Sequence, residues 1–194
     1  MLVLPGKTAG MVIFAHGSGS SRLSPRNAFV ARTLQEAGIG TLLFDLLTEE
    51  EDLIYRKRFD IDLIADRLIR ATRWLIERPE TKGMIPGYFG ASTGAAAALK
   101  AAAALSPKIK AVVSRGGRPD LAMDSLAEVK APTLLIVGEK DEVVLGMNRE
   151  AYEELASPKR IEIVPGASHL FEEPGALEEV ARLAVEWFRR HLTP

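Results

Sequence analysis

Six short strand-like runs, most of them apolar, spaced along the chain and separated by stretches of helical character, constrain its fold more than any other feature. They are Met11–Ala15, Thr41–Phe44, the run through Gly87-Tyr88-Phe89, Ile109–Val113, Pro132–Gly138 and Arg160–Val164. A strand that is apolar without alternation is one covered on both faces, as in a parallel sheet packed between helices. A weaker strand is expected at Leu2–Leu4. Between the runs, helices are predicted from about Arg26 to Ala37, Ile61 to Arg78, Ala95 to Leu105, Leu145 to Leu155 and Gly175 to His191. Pro25 and Gly38 bracket the first of these in the way proline opens and glycine closes a helix. The second carries Ile61, Ile64, Ala65, Leu68, Ala71 and Leu75 on one face, and the last carries Leu177, Val180, Ala181, Ala184, Trp187 and Phe188. The charged stretch from Leu46 to Asp60 reads as a surface loop, and a short helical segment follows Asp120.

Strand and helix alternate throughout, so the expectation is one α/β domain over residues 1–194, with a mainly parallel sheet of six to seven strands and helices on both faces. No repeat or linker divides the chain. Cysteine is absent, which removes disulfides and thiolate chemistry, and the three histidines, His16, His169 and His191, show no metal-ligand spacing. Neither a metal nor a cofactor is expected. The formal net charge of -1 gives no reason to expect nucleic acid or an anionic membrane as partner. The N-terminus is too short and too soon broken for a signal peptide, and a soluble cytoplasmic protein, monomer or homodimer, is expected.

Chemistry is expected at the carboxyl ends of the strands. Gly90-Ala91-Ser92-Thr93-Gly94, with an alanine-rich helix directly after it, fits the Gly-x-Ser-x-Gly turn that holds a serine nucleophile between a strand and a helix. A serine nucleophile needs a base, and the base needs an acid to hold its tautomer. Ser92, Asp141 and His169 stand in the order nucleophile, acid, base, each after a different strand. Asp120 is the alternative acid, His16 is expected to hold its own loop, and Asp45 to anchor a loop. Gly17-Ser18-Gly19 with Asp45 has some likeness to a dinucleotide fingerprint, but Arg22 stands at the third glycine position and Pro25 delays the helix.

With His16-Gly17-Ser18-Gly19, the Ser92 turn, Gly138-Glu139-Lys140-Asp141 and Gly166-Ala167-Ser168-His169 in place, the chain resembles the compact, dienelactone-hydrolase-like branch of the α/β-hydrolases over nearly its whole length. The resemblance implies the three-layer α/β-hydrolase fold, Ser92 as nucleophile, His169 as general base and then acid, and Asp141 as its orienter. It also implies an oxyanion hole from the backbone amides of Ser18 and Thr93, with Gly17 and Gly19 letting that loop approach. Two departures stand out. Ser92 occupies the position of the cysteine of the dienelactone hydrolases proper, and there is little room for a cap domain between Val113 and Pro132. The expected activity is hydrolysis of short-chain, accessible carboxylic esters, a small-molecule substrate, through an acyl-enzyme. A thioesterase or lactonase on the same residues and a non-catalytic binding module are the alternatives. Arg115 and Arg118, flanking Gly116-Gly117, and Arg22 and Arg26, which follow the His16–Gly19 loop, are candidates for binding a carboxylate or phosphate on the substrate, with Gly19 a further candidate contact; ion pairs to Asp45, Asp120 or the Glu49–Asp52 run are the structural alternative for the arginines.

Overall fold

The buried apolar runs assemble into one twisted sheet. The computed structural model describes residues 1–6 and 8–193. Among these, seven strands lie in the order β1-β3-β2-β4-β5-β6-β7, with β1 (Leu2–Val3), β2 (Gly10–Ala15), β3 (Gly40–Leu43), β4 (Ile85–Ala91), β5 (Val112–Arg115), β6 (Thr133–Gly138) and β7 (Lys159–Val164). β1 runs antiparallel to β3 and every other pairing is parallel. All residues of β2, β3, β5 and β6 are buried, the consequence of helices on both faces.

Helices α1 (Pro25–Glu36) and α6 (Ala176–His191) cover one face, and their Val30, Leu34, Val180 and Phe188 close over Val12, Phe14, Phe89 and Ile136. The opposite face carries α3 (Ile61–Glu77), α4 (Thr93–Ala104) and α5 (Glu142–Glu154), packed over Ile13, Tyr88, Val112 and Leu135. This is the three-layer arrangement of an α/β-hydrolase, without a cap domain. Only a 3-10 segment, Pro119–Glu128, joins β5 to β6.

Sheet topology positions the site. β2 lies between β3 and β4, and the chain leaves β2 toward one edge and β4 toward the other, which makes the carboxyl ends of β2 and β4 the point where strand order reverses. The His16–Gly19 loop and the Ser92 turn therefore meet there.

Three expectations are corrected. The Leu46–Asp60 stretch contains a short helix, α2 (Glu49–Asp52), and a 3-10 turn, Tyr55–Phe59. A capping box opens α2: Thr48 Oγ1 accepts from the Glu51 amide, and the Glu51 carboxylate accepts from the Thr48 amide. β5, the strand after β4, begins later than the apolar run suggests, at Val112 rather than Ile109, because Val112 is where pairing to Thr133 of β6 joins the pairing to Tyr88 of β4. Ser114 and Arg115 thereby become strand residues, buried at its carboxyl end. On α3 the fourth turn buries Thr72 in place of Ala71, and the Thr72 hydroxyl meets Tyr88 Oη at 2.7 Å.

Candidate active site

Ser92 follows β4, at the N-cap of α4, with its backbone at φ 51°, ψ -122°, outside the regions that L-residues ordinarily adopt. Only a closely fitted turn holds a serine there. A side-chain carbon at Gly90 would come within 2.8 Å of the Ala95 nitrogen, and one at Gly94 within 2.5 Å of the His16 carbonyl oxygen. Both glycines are thus required by close approach: one lets α4 start at once, the other lets α4 lie against the end of β2. Ser92 donates its own amide to the Arg115 carbonyl at 3.2 Å, tying the turn to β5. The Thr93 amide, at the first position of α4, has no intrahelical acceptor by the geometry of a helix start.

His169 follows β7 on a loop that is well tied down. Its Nδ1–H donates to Asp141 Oδ2 at 2.6 Å, and because a carboxylate only accepts, Nε2 is left with its lone pair. Asp141 stands at the N-cap of α5 but makes no side-chain bond to the helix amides; its carboxylate is turned to His169. The loop itself is held by Glu173, whose Oε2 accepts from the Ser168 amide at 3.0 Å. That amide bond keeps the Glu173 carboxyl below its usual range. Asp120 is not the acid: both its carboxylate oxygens accept from Arg118, at 2.9 and 2.7 Å.

Ser92 and His169 line one cavity of about 260 Å³, together with Gly17, Ser18, Arg26 and Arg115. Their reactive atoms are not hydrogen-bonded to each other in this structure. Such contacts are commonly loose before substrate binds. A larger depression of about 570 Å³, lined by His16, Arg22, Asp45, Thr48 and Asp52, lies on the far side of the His16 loop. Its hydroxyl residues, Ser20, Ser21 and Thr48, make no hydrogen bond to a histidine, and Asp45 there is engaged by Arg22. His16 is committed as well. Its Nε2 accepts from the Leu46 amide at 3.1 Å, so its Nδ1 carries the proton and donates to the Gly17 carbonyl at 3.0 Å. Burial pushes this imidazole below its ordinary range and keeps it neutral.

The remaining sequence candidates divide. Ser18 reaches the site, but its amide donates to Thr93 Oγ1 at 2.9 Å, a hydroxyl link that no sequence pattern announces. Gly19 instead lines a narrow crevice beside Leu46 and Arg58, away from Ser92. Arg118 is spent on Asp120, because the two stand two residues apart on a turn that presents the guanidinium fork to the carboxylate. Arg115 faces the cavity. Asn27 and Phe171 join it there or just beneath, and neither carries a signal in the sequence. Among the described residues, no group of three or more His, Asp or Glu side chains is placed to hold a metal ion, and no helix is long and apolar enough to cross a membrane.

A family model of the dienelactone hydrolase family matches residues 30–192, which includes the Ser92 turn, Asp141 and His169. The chain belongs to that family. It is 59% identical to a dienelactone hydrolase from Anabaena variabilis of known crystal structure, with a TM-score of 0.97 over 99% of this chain and 91% of that one. Est1E from Butyrivibrio proteoclasticus shares the fold at 16% identity, with a TM-score of 0.83 over 97% of this chain and 92% of that one. A Mycobacterium tuberculosis protein provisionally named a phosphoribosyl transferase is 58% identical over 191 residues, which are 98% of this chain and 43% of that protein. The chain therefore spans less than half the length of that curated relative. Membership of that family supports a hydrolase.

Proposed function

We propose that this protein is a serine esterase that cleaves carboxylic esters with short, accessible acyl groups. The observation that carries the reading is the strained Ser92, held at φ 51° on its turn in the same cavity as a histidine whose Nδ1–H is bound by the half-buried carboxylate of Asp141. Backbone strain of this kind persists only where the surroundings over-determine it, and it clusters at functional sites.

In the mechanism, Ser92 Oγ attacks the ester carbonyl while His169 Nε2 takes its proton. Asp141 holds the imidazole in the Nδ1–H tautomer and steadies the imidazolium that forms. The tetrahedral oxyanion is held by the Thr93 amide at the positive end of α4. Ser18 supplies the second donor once its amide leaves the Thr93 hydroxyl. His169 then returns the proton to the leaving alcohol, the acyl group stays on Ser92, and a water deprotonated by His169 releases the acid. No cofactor enters. Short acyl groups fit because the cavity is small, with room for about nine waters at about 30 Å³ each. The transferase name of the mycobacterial relative belongs to a protein more than twice this length.

Labelling with an uncharged fluorophosphonate, followed by mapping of the modified peptide, tests the reading. Modification at Ser92, lost in Ser92→Ala together with ester turnover, is the expected result. Undiminished esterase activity in Ser92→Ala would overturn it.

A further inference from the structure

Arg115 is the most unusual buried group in the molecule. It is only 7% exposed, and its Nε and Nη1 are buried without any hydrogen-bond partner. Arginine brings five donors into the interior, and a buried charge left unpaired costs several kcal/mol, so structural arginines arrive with carboxylates. This one does not. The neighbouring Arg118 has Asp120, Arg22 has Asp45 and Arg58 has Asp52, but no carboxylate lies within ion-pair distance of Arg115 among the described residues.

What surrounds Arg115 makes the omission more pointed. It stands opposite Ala91 in the β4–β5 register and accepts the Ser92 amide on its carbonyl, so its Cα is one strand away from the nucleophile. Its guanidinium lies 6.0 Å from the ring centre of Phe171, a fully buried residue whose backbone is held at φ 56° just after His169. A bulky residue in the left-handed region is strain that something else must repay. Across the cavity stands a second guanidinium, Arg26, whose Nε is also buried and unpartnered; its Nη1 reaches Glu172 at 3.2 Å on the solvent side. Burial, with Arg26 adding repulsion, lowers the Arg115 pKa to about 10, so it stays charged at neutral pH. Two cations thus face one small cavity, with Arg115 Nε and Nη1 and Arg26 Nε unused.

We propose that Arg115, with Arg26, is the anchor for an anionic group, carboxylate or phosphate, on the substrate, so that the esters cleaved at Ser92 are small and negatively charged. The identity of the substrate as an ester rests on the serine-esterase reading; the anion site itself does not. An anion there gives Arg115 the paired N–H donors it lacks and removes the repulsion between the two guanidiniums. It also fixes the ester one strand away from Ser92, so that the charge orients the carbonyl for attack rather than merely adding affinity.

Binding is measured first without turnover. The intact protein is melted in sodium succinate and in sodium phosphate at constant ionic strength, with sodium chloride as reference. At least one of the two raises the unfolding midpoint beyond chloride, and Arg115→Met abolishes the rise. Should Arg115→Met not fold, Arg26→Gln, at the cavity edge, weakens the apparent anion affinity at least tenfold. A response to succinate alone assigns a carboxylate, and a response to phosphate alone a phosphate monoester. Turnover is measured second, as kcat/KM for the p-nitrophenyl ester of succinic acid over that of butyric acid, which match in chain length. The ratio favours the charged ester at least tenfold, and drops at least tenfold in either variant; for a phosphate response the pair is 2-acetoxyethyl phosphate and 2-acetoxyethanol. Absence of stabilisation by both anions, or the same stabilisation in both variants, refutes the site. Ester cleavage with no preference for charge refutes it too while leaving the esterase reading intact. Anion stabilisation lost in the variants, with no ester cleaved, upholds the site and removes the esterase reading.

Discussion

Ser92 offers a measurement of what the turn costs the fold. The comparison is between Ser92→Gly and Ser92→Ala, two variants that both lack the hydroxyl and differ by one methyl group. Alanine at φ 51°, ψ -122° keeps the strain, which for a backbone in a sparsely populated region is about 1–3 kcal/mol. Glycine releases it, but glycine also loses more conformational freedom on folding, by about 0.4–1 kcal/mol. The deleted methyl group lies where a side-chain carbon added at Gly17 would meet it at 3.1 Å, and it sits on a half-buried residue, so its lost burial costs less than the roughly 0.8 kcal/mol of a fully buried methylene. Glycine therefore comes out ahead by about 1 kcal/mol at the centre of these ranges, although it is the residue that ordinarily weakens a strand end. In a chain of this length that is a midpoint difference of about 2–4 °C, and urea unfolding should show it as a shift of midpoint at constant m-value. An alanine variant as stable as the glycine variant, or more so, would mean that the turn stores no strain at Ser92.

Gly94→Ala is expected to damage both assembly and activity, because the new methyl group falls on the carbonyls of Ala15 and His16, which are backbone and cannot rotate away; soluble yield and unfolding midpoint check it, and a wild-type midpoint contradicts the close-approach argument. The neutral, buried His16 makes stability depend on pH. Its pKa is lowered in the fold from 6.5, so its contribution is fully present above about pH 6.5 and falls as the pH drops toward the lowered value, the unfolded chain taking up a proton that the folded chain refuses. His191, lowered by burial with Arg190 second, acts in the same sense. His16→Gln should therefore melt lower at pH 8 yet lose less stability than the unmodified protein between pH 7.5 and 5.5, and an unchanged pH slope counts against the assignment.

The strands were legible because burial on both faces leaves no choice of side chain: Met11–Ala15 and Pro132–Gly138 cannot sit anywhere else. The end of β5 was not, because Ile109-Lys110-Ala111 is as strand-like as Val112-Val113, and the difference lies in where β6 begins to pair. Helix α2 hid in a run of acids that lacks apolar periodicity; its only local mark is Thr48 three residues before Glu51. The Ser92, Asp141 and His169 positions were readable from chain order, and the structure brings His169 to Asp141 directly and to Ser92 within one cavity. Arg115 and Arg118 were indistinguishable in sequence, two arginines either side of two glycines. One turns back to an aspartate two residues on and the other points into the cavity, a difference that resides in the backbone of the turn. The bond from the Ser18 amide to Thr93 links residues 75 apart and has no local signature at all.

Helix α4 carries nine buried residues in its twelve, and from Ala95 to Ala98 and again at Ala101 and Ala102 every one is alanine. A floor of methyl groups has no rotamers to rearrange, so the ground beneath Ser92 cannot be deepened by trimming nor raised without a collision. Any change of substrate preference, whether by natural drift or in the laboratory, has to enter at the rim, through α1 at Arg26 and Asn27, the turn after β5, and the loop from His169 to Glu172. The reacting centre can thus stay as it is while selectivity is rewritten around it.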